Sequence, residues 1–164
     1  ISESLRIGSH TFDEAIIRYL EKNKSVTVGY RTAEELKMLI GTAIADGRNF
    51  MADVRGRSTE TGLPVEADVD SQEIRTALEE PLHSIVHAVV SILEKTPPEL
   101  AADIADHGIV LTGGGALLDG FDRLIARATG MAAYLCDTPL LSVANGAGKA
   151  LAEMDRLKDS YYES

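Results

Sequence analysis

The sequence predicts an α/β fold that carries a small insertion built around a β-hairpin. Apolar residues recur at helical spacing in several stretches, and one region between them alternates apolar and polar residues as a half-buried strand does. A short apolar run also leads into three glycines and then into another helical stretch. A chain of 164 residues is long enough to bury a hydrophobic core around these elements.

Composition excludes several classes of protein. The chain has 16 Lys and Arg against 26 Asp and Glu, a net charge of −10, and 45% apolar residues. This apolar fraction excludes a wholly disordered chain, and the negative balance disfavours non-specific binding to nucleic acid or anionic lipid. The lone Cys136 cannot form an internal disulfide, and we expect it to be a small buried residue. No apolar run is long enough to span a membrane. Because Ile1 rather than Met comes first, we expect the sequence to start partway through a longer gene product.

Two capping patterns begin the first two predicted helices. Thr11 with Glu14 three residues later predicts an N-cap and a helix over residues 12–22. Thr32 with Glu35 repeats the pattern, and the apolar stripe that follows it predicts the second helix.

The next region changes to the two-residue period of strands. Residues 51–57 and 65–70 predict the two strands of a β-hairpin, with the turn over residues 58–62. Pro64 lacks the N–H that a central strand would donate, so it predicts that the second strand lies at an edge.

Prolines divide the following helical stretch. A helix begins at Ser71, but Pro81 would remove a hydrogen bond from its interior at a cost of about 3 kcal/mol. We therefore expect two helices that meet near Glu80, and a boundary between lobes at that point. Pro97 and Pro98 end the second of these helices and begin another. The remaining predicted elements are a strand over 108–112, a helix over 116–129 closed by Gly130, a strand over 131–136 and a final helix over 142–158.

The string Leu-Thr-Gly-Gly-Gly-Ala-Leu-Leu over residues 111–118 is the most informative motif. A buried strand that turns through glycines into a helix brings backbone N–H groups close to a bound nucleotide. The string is neither the dinucleotide fingerprint, because Leu118 occupies its last glycine position, nor a P-loop, because no Gly-Lys-Ser/Thr follows. On spacing alone, a tight turn that needs glycine only for its geometry stays an equal alternative.

Three charged residues in the second helix form a further candidate group. Carboxylates of Glu34 and Glu35 at a helix start favour the helix dipole, which is a sufficient structural reason for them. The same carboxylates can accept hydrogen bonds from ribose hydroxyls, and Lys37 can reach a base or a phosphate.

Two weaker patterns favour structural roles. The Gly-Ala-Gly-Lys string over residues 146–149 lacks the Ser or Thr of a phosphate loop, and we expect it to pack the last helix closely against the core. His83 and His87 have the spacing of a helical metal pair, but no further ligand lies nearby, so we expect a solvated or interfacial helix face.

An ordered set of segments resembles the MreB family of bacterial actins, which includes Mbl. The resemblance covers residues 7–152, nearly the whole chain. The segments that carry it are residues 31–37, 54–57, 61–64, 79–82, 96–101 and 111–118.

The resemblance implies the second half of the actin-like ATPase fold. A larger RNase H-like lobe would comprise residues 1–23 and 81–164, with a smaller α+β lobe inserted over 24–80. In this family ATP sits in a cleft between the two halves of the protein. Glu34, Glu35 and Lys37 would close over the ribose and base, while Tyr30 and Asn145 depart from the family pattern. The residues expected on the adenosine side are Gly113, Gly114, Gly115, Ala116 and Leu117.

The resemblance also implies a cellular role. The parent protein would polymerise with ATP into filaments at the cytoplasmic face of the inner membrane and direct the cell-wall elongation machinery that sets rod shape. Its phosphate hairpins, catalytic acid and Mg²⁺-organising aspartates are expected upstream of Ile1. This chain would then hold no catalytic or metal residue, hydrolyse no ATP by itself, and associate through its uncovered cleft face.

Two alternatives belong to other classes. The first is another ATPase or phosphotransferase of the actin, Hsp70 and sugar-kinase superfamily, which should lack the segments over 54–57 and 96–101. The second is a free-standing interaction module that binds no ligand.

Overall fold

The computed structural model describes residues 1–153, which form a mixed α/β fold. The predicted order of helices and strands is largely confirmed. The elements are α1 (Ser9–Lys24), β1 (Val26–Thr27), α2 (Tyr30–Ile40), β2 (Met51–Ser58), β3 (Pro64–Asp70), α3 (Ser71–Lys95), α4 (Pro98–His107), β4 (Ile109–Leu111), a 3₁₀ turn (Gly114–Leu117), α5 (Phe121–Thr129), β5 (Ala133–Leu135) and α6 (Ser142–Ala152).

The predicted β-hairpin is confirmed. β2 and β3 pair antiparallel, with Val54 opposite Ala67 and Arg57 opposite Pro64. The sheet order is β1-β2-β3, so Pro64 lies on an edge strand as expected. β1 was not predicted, because two residues are too few to show a period. In the larger predicted lobe, β4 and β5 pair in parallel.

The first two helices begin earlier than their Thr–Glu patterns predicted. Gly8 and Gly29, both in extended backbone, are the N-caps of α1 and α2. Thr11 lies inside α1, where its Oγ1 accepts the Gly8 N–H at 3.3 Å. Thr11 therefore contributes to the start of α1 from within its first turn, without being the N-cap residue.

The prediction of two helices meeting near Glu80 is wrong, because α3 continues through Pro81. Asp70 caps the helix by accepting the Glu73 N–H at 2.8 Å, and Pro81 itself is buried beside Leu82. Burial of this apolar face offsets the single hydrogen bond that the proline removes. The helix spans the junction expected between the lobes, and the division at that point stays a prediction.

The glycine-rich segment also differs from the single helix predicted over 116–129. Gly120 adopts a left-handed conformation, with φ of +70°, and separates the 3₁₀ turn from α5. Gly130 ends α5 in the same conformation, as predicted. α6 begins at Ser142 as expected, and the predicted extension from residue 154 to 158 lies outside the described residues.

A single hydrophobic cluster joins both predicted lobes. α1 contributes Phe12, Ile16 and Leu20, and α3 contributes Ile74 and Leu78. The cluster is completed from α2, the hairpin and α5 by Leu36, Ile40, Val54, Val69 and Ile125, among others. Among the described residues, no helix is long and apolar enough to cross a membrane.

Candidate functional site

A cavity of about 370 Å³ lies between α1, α2 and the glycine-rich turn. It brings together five of the residues expected at a nucleotide: Glu34, Lys37, Gly114, Gly115 and Leu117. The other lining residues are Ser9, Phe12, Met38, Leu118 and Leu140. Apolar side chains thus supply most of the wall, with a few polar groups at defined points, as is usual for small-molecule sites.

Gly114 and Gly115 form part of one wall of the cavity. Gly113 turns the chain out of β4 with φ of +88°, and its N–H donates to the Pro139 carbonyl at 3.0 Å. A Cβ on Gly114 would lie 3.5 Å from Leu140 Cδ2, so any longer side chain would occupy cavity space. Ala116 is buried next to these glycines, and Leu117 is exposed.

The ammonium group of Lys37 is paired with other groups of the protein. Its side chain is buried, and Nζ donates to Asp13 Oδ1 at 2.7 Å and to the hydroxyl and carbonyl of Ser9. All three ammonium protons therefore have acceptors, and the part of Lys37 left for a ligand is its methylene chain. Sequence reasoning missed Asp13, since nothing local marks a partner 24 residues away.

The two glutamates face different surroundings. Glu34 is exposed and lines the cavity. Glu35 does not line it, and its exposed carboxylate accepts a hydrogen bond from Arg31 Nε at 3.0 Å. Only Glu34 of this pair is therefore placed to accept hydrogen bonds from a molecule in the cavity.

Tyr30, the first departure from the family pattern, links α2 to α1. Its ring stacks on His10 with centroids 4.4 Å apart, and its hydroxyl donates to Glu14 Oε1 at 3.3 Å. Loss of solvent and the Glu14 carboxylate raise the pKa of Tyr30. The second departure, Asn145, lies exposed on α6.

Two further expectations are corrected. Gly146 and Gly148 do not pack α6 against the core, since a Cβ on either would meet nothing within 4 Å among the described residues. Cys136 is only half-buried, at the start of the connection between β5 and α6. Hydrogen bonds with Ser142 and Thr112 lower the pKa of the Cys136 thiol.

His83 and His87 are exposed on α3, as expected for a solvated face. No group of three or more His, Cys, Asp and Glu side chains within residues 1–153 is arranged to hold a metal ion.

The family model described as "MreB/Mbl protein" matches residues 1–159. The chain belongs to the MreB/Mbl family. It is 47% identical over 154 residues to the cell shape-determining protein MreB of Escherichia coli strain K12, covering 94% of this chain and 44% of that protein. It is 40% identical over 156 residues to the cell shape-determining protein Mbl of Bacillus subtilis strain 168, covering 95% and 47%. This MreB/Mbl chain therefore spans less than half the length of these curated relatives.

Solved structures confirm the predicted actin-like fold of the MreB/Mbl chain. The crystal structure of Spiroplasma citri MreB5 bound to AMPPNP superposes with a TM-score of 0.90 at 30% identity, covering 98% of this chain and 48% of that one. The MamK double helical filament superposes with a TM-score of 0.62 at 22% identity, covering 83% and 42%, and that likeness concerns the fold alone.

Proposed function

We propose that this chain is the adenosine-binding half of an ATP-binding MreB/Mbl cytoskeletal protein. The observation that carries the proposal is the cavity, in which α2 and the glycine-rich turn face each other across about 370 Å³. The similarity to an MreB5 structure that holds AMPPNP supports a nucleotide as the occupant.

Different lining residues contact different parts of the nucleoside. The adenine ring packs against apolar side chains such as Phe12, Met38 and Leu140. The Glu34 carboxylate accepts hydrogen bonds from the ribose hydroxyls. The absence of side chains at Gly114 and Gly115 lets the backbone approach the ligand closely.

The triphosphate and Mg²⁺ are held by polypeptide outside this chain in our proposal. The metal would neutralise phosphate charge during hydrolysis, so the role of this half is to bind and orient the nucleoside. The curated relatives are more than twice as long as the segment matched here, which leaves room for a phosphate-binding half.

At the level of the cell, the parent protein self-associates into filaments at the cytoplasmic face of the inner membrane. There it guides the cell-wall elongation machinery and maintains rod shape, without nucleic acid as a partner. The names of the curated relatives, which are cell shape-determining proteins, support this role.

Amide NMR of the ¹⁵N-labelled chain tests the binding site directly. We expect adenosine and ATP to shift the same amide resonances, those of Glu34, Met38, Gly114, Gly115 and Leu117, because the nucleoside makes the contacts. The G114L variant should weaken adenosine binding about tenfold or more, since its side chain occupies the cavity.

The matched control is G146L, which adds the same side chain to an exposed helix position with no neighbour within 4 Å. It should bind adenosine like the unmodified chain. Shifts scattered over the surface, or equal losses in G114L and G146L, would refute the proposed site.

A further inference from the structure

The segment over residues 41–48, which follows α2, is held against the start of α5 by Asp119. Asp119 Oδ2 accepts hydrogen bonds from Thr42 Oγ1 and from the Arg48 backbone N–H, each at 2.9 Å. The Asp119 carbonyl accepts the Ala43 N–H at 2.8 Å, and Thr42 and Asp119 form an isolated parallel bridge. Thr42 is fully buried, and the side chain of Asp119 is partly buried.

Two glycines permit this contact to be so close. A Cβ on Gly47 would overlap Thr42 Oγ1 and lie 2.6 Å from Asp119 Oδ2. A Cβ on Gly120 would lie 2.5 Å from Ile44 Cγ1, at a backbone φ of +70°. The segment is therefore seated on α5 in a way that neither position would allow with a side chain.

The contact between the 41–48 segment and Asp119 lies next to the cavity. Both chain segments that form it continue directly into residues that line the cavity. On the α2 side, Met38 lines the cavity three residues before Gly41. On the other side, Leu117 and Leu118 line it immediately before Asp119. The two sides touch at this end, since a Cβ on Gly41 would lie 3.0 Å from Leu118 Cδ1.

We propose that Asp119 is the positioning residue of the cavity, because its hydrogen bonds to Thr42 and Arg48 fix the separation between α2 and the glycine-rich turn. The consequence for adenosine rests on the proposed function. The separation between α2 and the glycine-rich turn does not depend on the proposed function, and it can be measured without a ligand.

The first readout is the nuclear Overhauser cross-peak between Gly41 Hα and the Leu118 methyl groups in the ligand-free chain. D119A removes the side-chain acceptor, and G47A pushes the segment away without removing any charge. Both variants should lose this cross-peak. D119N should keep most of it, because its amide oxygen still accepts from Thr42 and Arg48.

The second readout is the Kd for adenosine. If the closed arrangement falls to a tenth of the population in D119A and G47A, the apparent Kd rises about tenfold. D119N should lie close to the unmodified chain.

D46A is the matched control for both readouts. Asp46 joins the same segment to α5 through Arg127, at 2.8 and 2.9 Å, and neither of these two residues lines the cavity. It should leave the cross-peak and the Kd unchanged.

The outcomes separate this inference from the proposed function. Retention of the cross-peak in D119A and G47A, or its equal loss in D46A, overturns the positioning role. Loss of the cross-peak with an unchanged Kd overturns its effect on the ligand. Failure of the unmodified chain to bind adenosine refutes the proposed function, and the cross-peak still decides the role of Asp119.

Discussion

At the scale of single residues, the ion pair between Asp46 and Arg127 shifts the pKa values of both side chains. The guanidinium donates two nearly parallel hydrogen bonds, to Asp46 Oδ1 at 2.9 Å and Oδ2 at 2.8 Å. These bonds lower the pKa of Asp46 from 3.8 to about 2 and raise that of Arg127. The geometry is bidentate, which distinguishes this pair from most exposed ion pairs.

The lowered pKa predicts a defined pH dependence of stability. Because the folded-state pKa lies below the unfolded value, the stabilisation is complete above about pH 4 and disappears as pH falls toward about 2. The difference in urea midpoint between the unmodified chain and D46N should therefore be constant above this window and vanish below it. R127M removes the other partner of the ion pair, and it should lower the urea midpoint over the same pH range. A difference that persists unchanged to pH 2 would contradict the assignment.

Residues of the site were predictable where the signal is local. The glycine run and the charges of α2 are visible in the sequence, and the structure places five of those residues around one cavity. Asp13 and Asp119 were not predictable, because their partners Lys37 and Thr42 lie 24 and 77 residues away. No spacing rule relates residues that meet only through the fold.

At the scale of elements, one buried ion pair fastens α2 to α1. Asp13 and Lys37 are only 8% and 9% exposed in their side chains, and their charged atoms lie 2.7 Å apart. Such a pair contributes little over an apolar contact of the same shape, but removing one partner leaves a buried charge uncompensated.

K37M should therefore lower the free energy of unfolding by about 3–5 kcal/mol, measured by urea denaturation. The double variant D13N/K37M should recover part of the loss, because no unpaired charge stays buried. K22M, at an exposed position of α1, is the matched control and should change stability by no more than about 0.5 kcal/mol. A loss in K37M as small as in this control would show that the pair is not buried in solution.

Helices and strands were predicted correctly from periodic patterns, but helix ends that depend on packing or on local backbone conformation were not. The alternation ahead of Asp70 predicted the hairpin correctly, and Pro64 predicted its edge strand. Thr11 and Thr32 were misleading as caps, because Gly8 and Gly29 adopt the required extended backbone one turn earlier. Pro81 was misleading as a break, because the buried face on either side of it holds the helix together.

At the scale of the whole molecule, the end of the described chain presents uncovered apolar surface. Val143 and Leu151 are 82% and 68% exposed, and α6 buries no residue. Val110 of β4 and Leu135 of β5 are also exposed, although parallel sheets are usually covered on both faces.

We expect this surface to drive self-association of the isolated chain, detectable by light scattering at high concentration. V143D/L151D should shift the population toward monomer, because the two side chains lie eight residues apart on one face of α6. L63D changes a comparably exposed leucine at the hairpin turn and should leave association unchanged. A monodisperse monomer of the unmodified chain would contradict the prediction.

The continuity of α3 has a mechanical consequence. Its 25 residues form a rod of about 37 Å, at 1.5 Å per residue. One end is joined by paired hydrogen bonds between Ser71 and Phe50, the residue just before the hairpin, and the other reaches Thr96, next to α4. A tilt of about 5° at the hairpin would carry the far end through about 3 Å over that length. The length of α3 therefore sets how far its end next to α4 would move for a given rotation at its other end, if the helix turned as one rigid body.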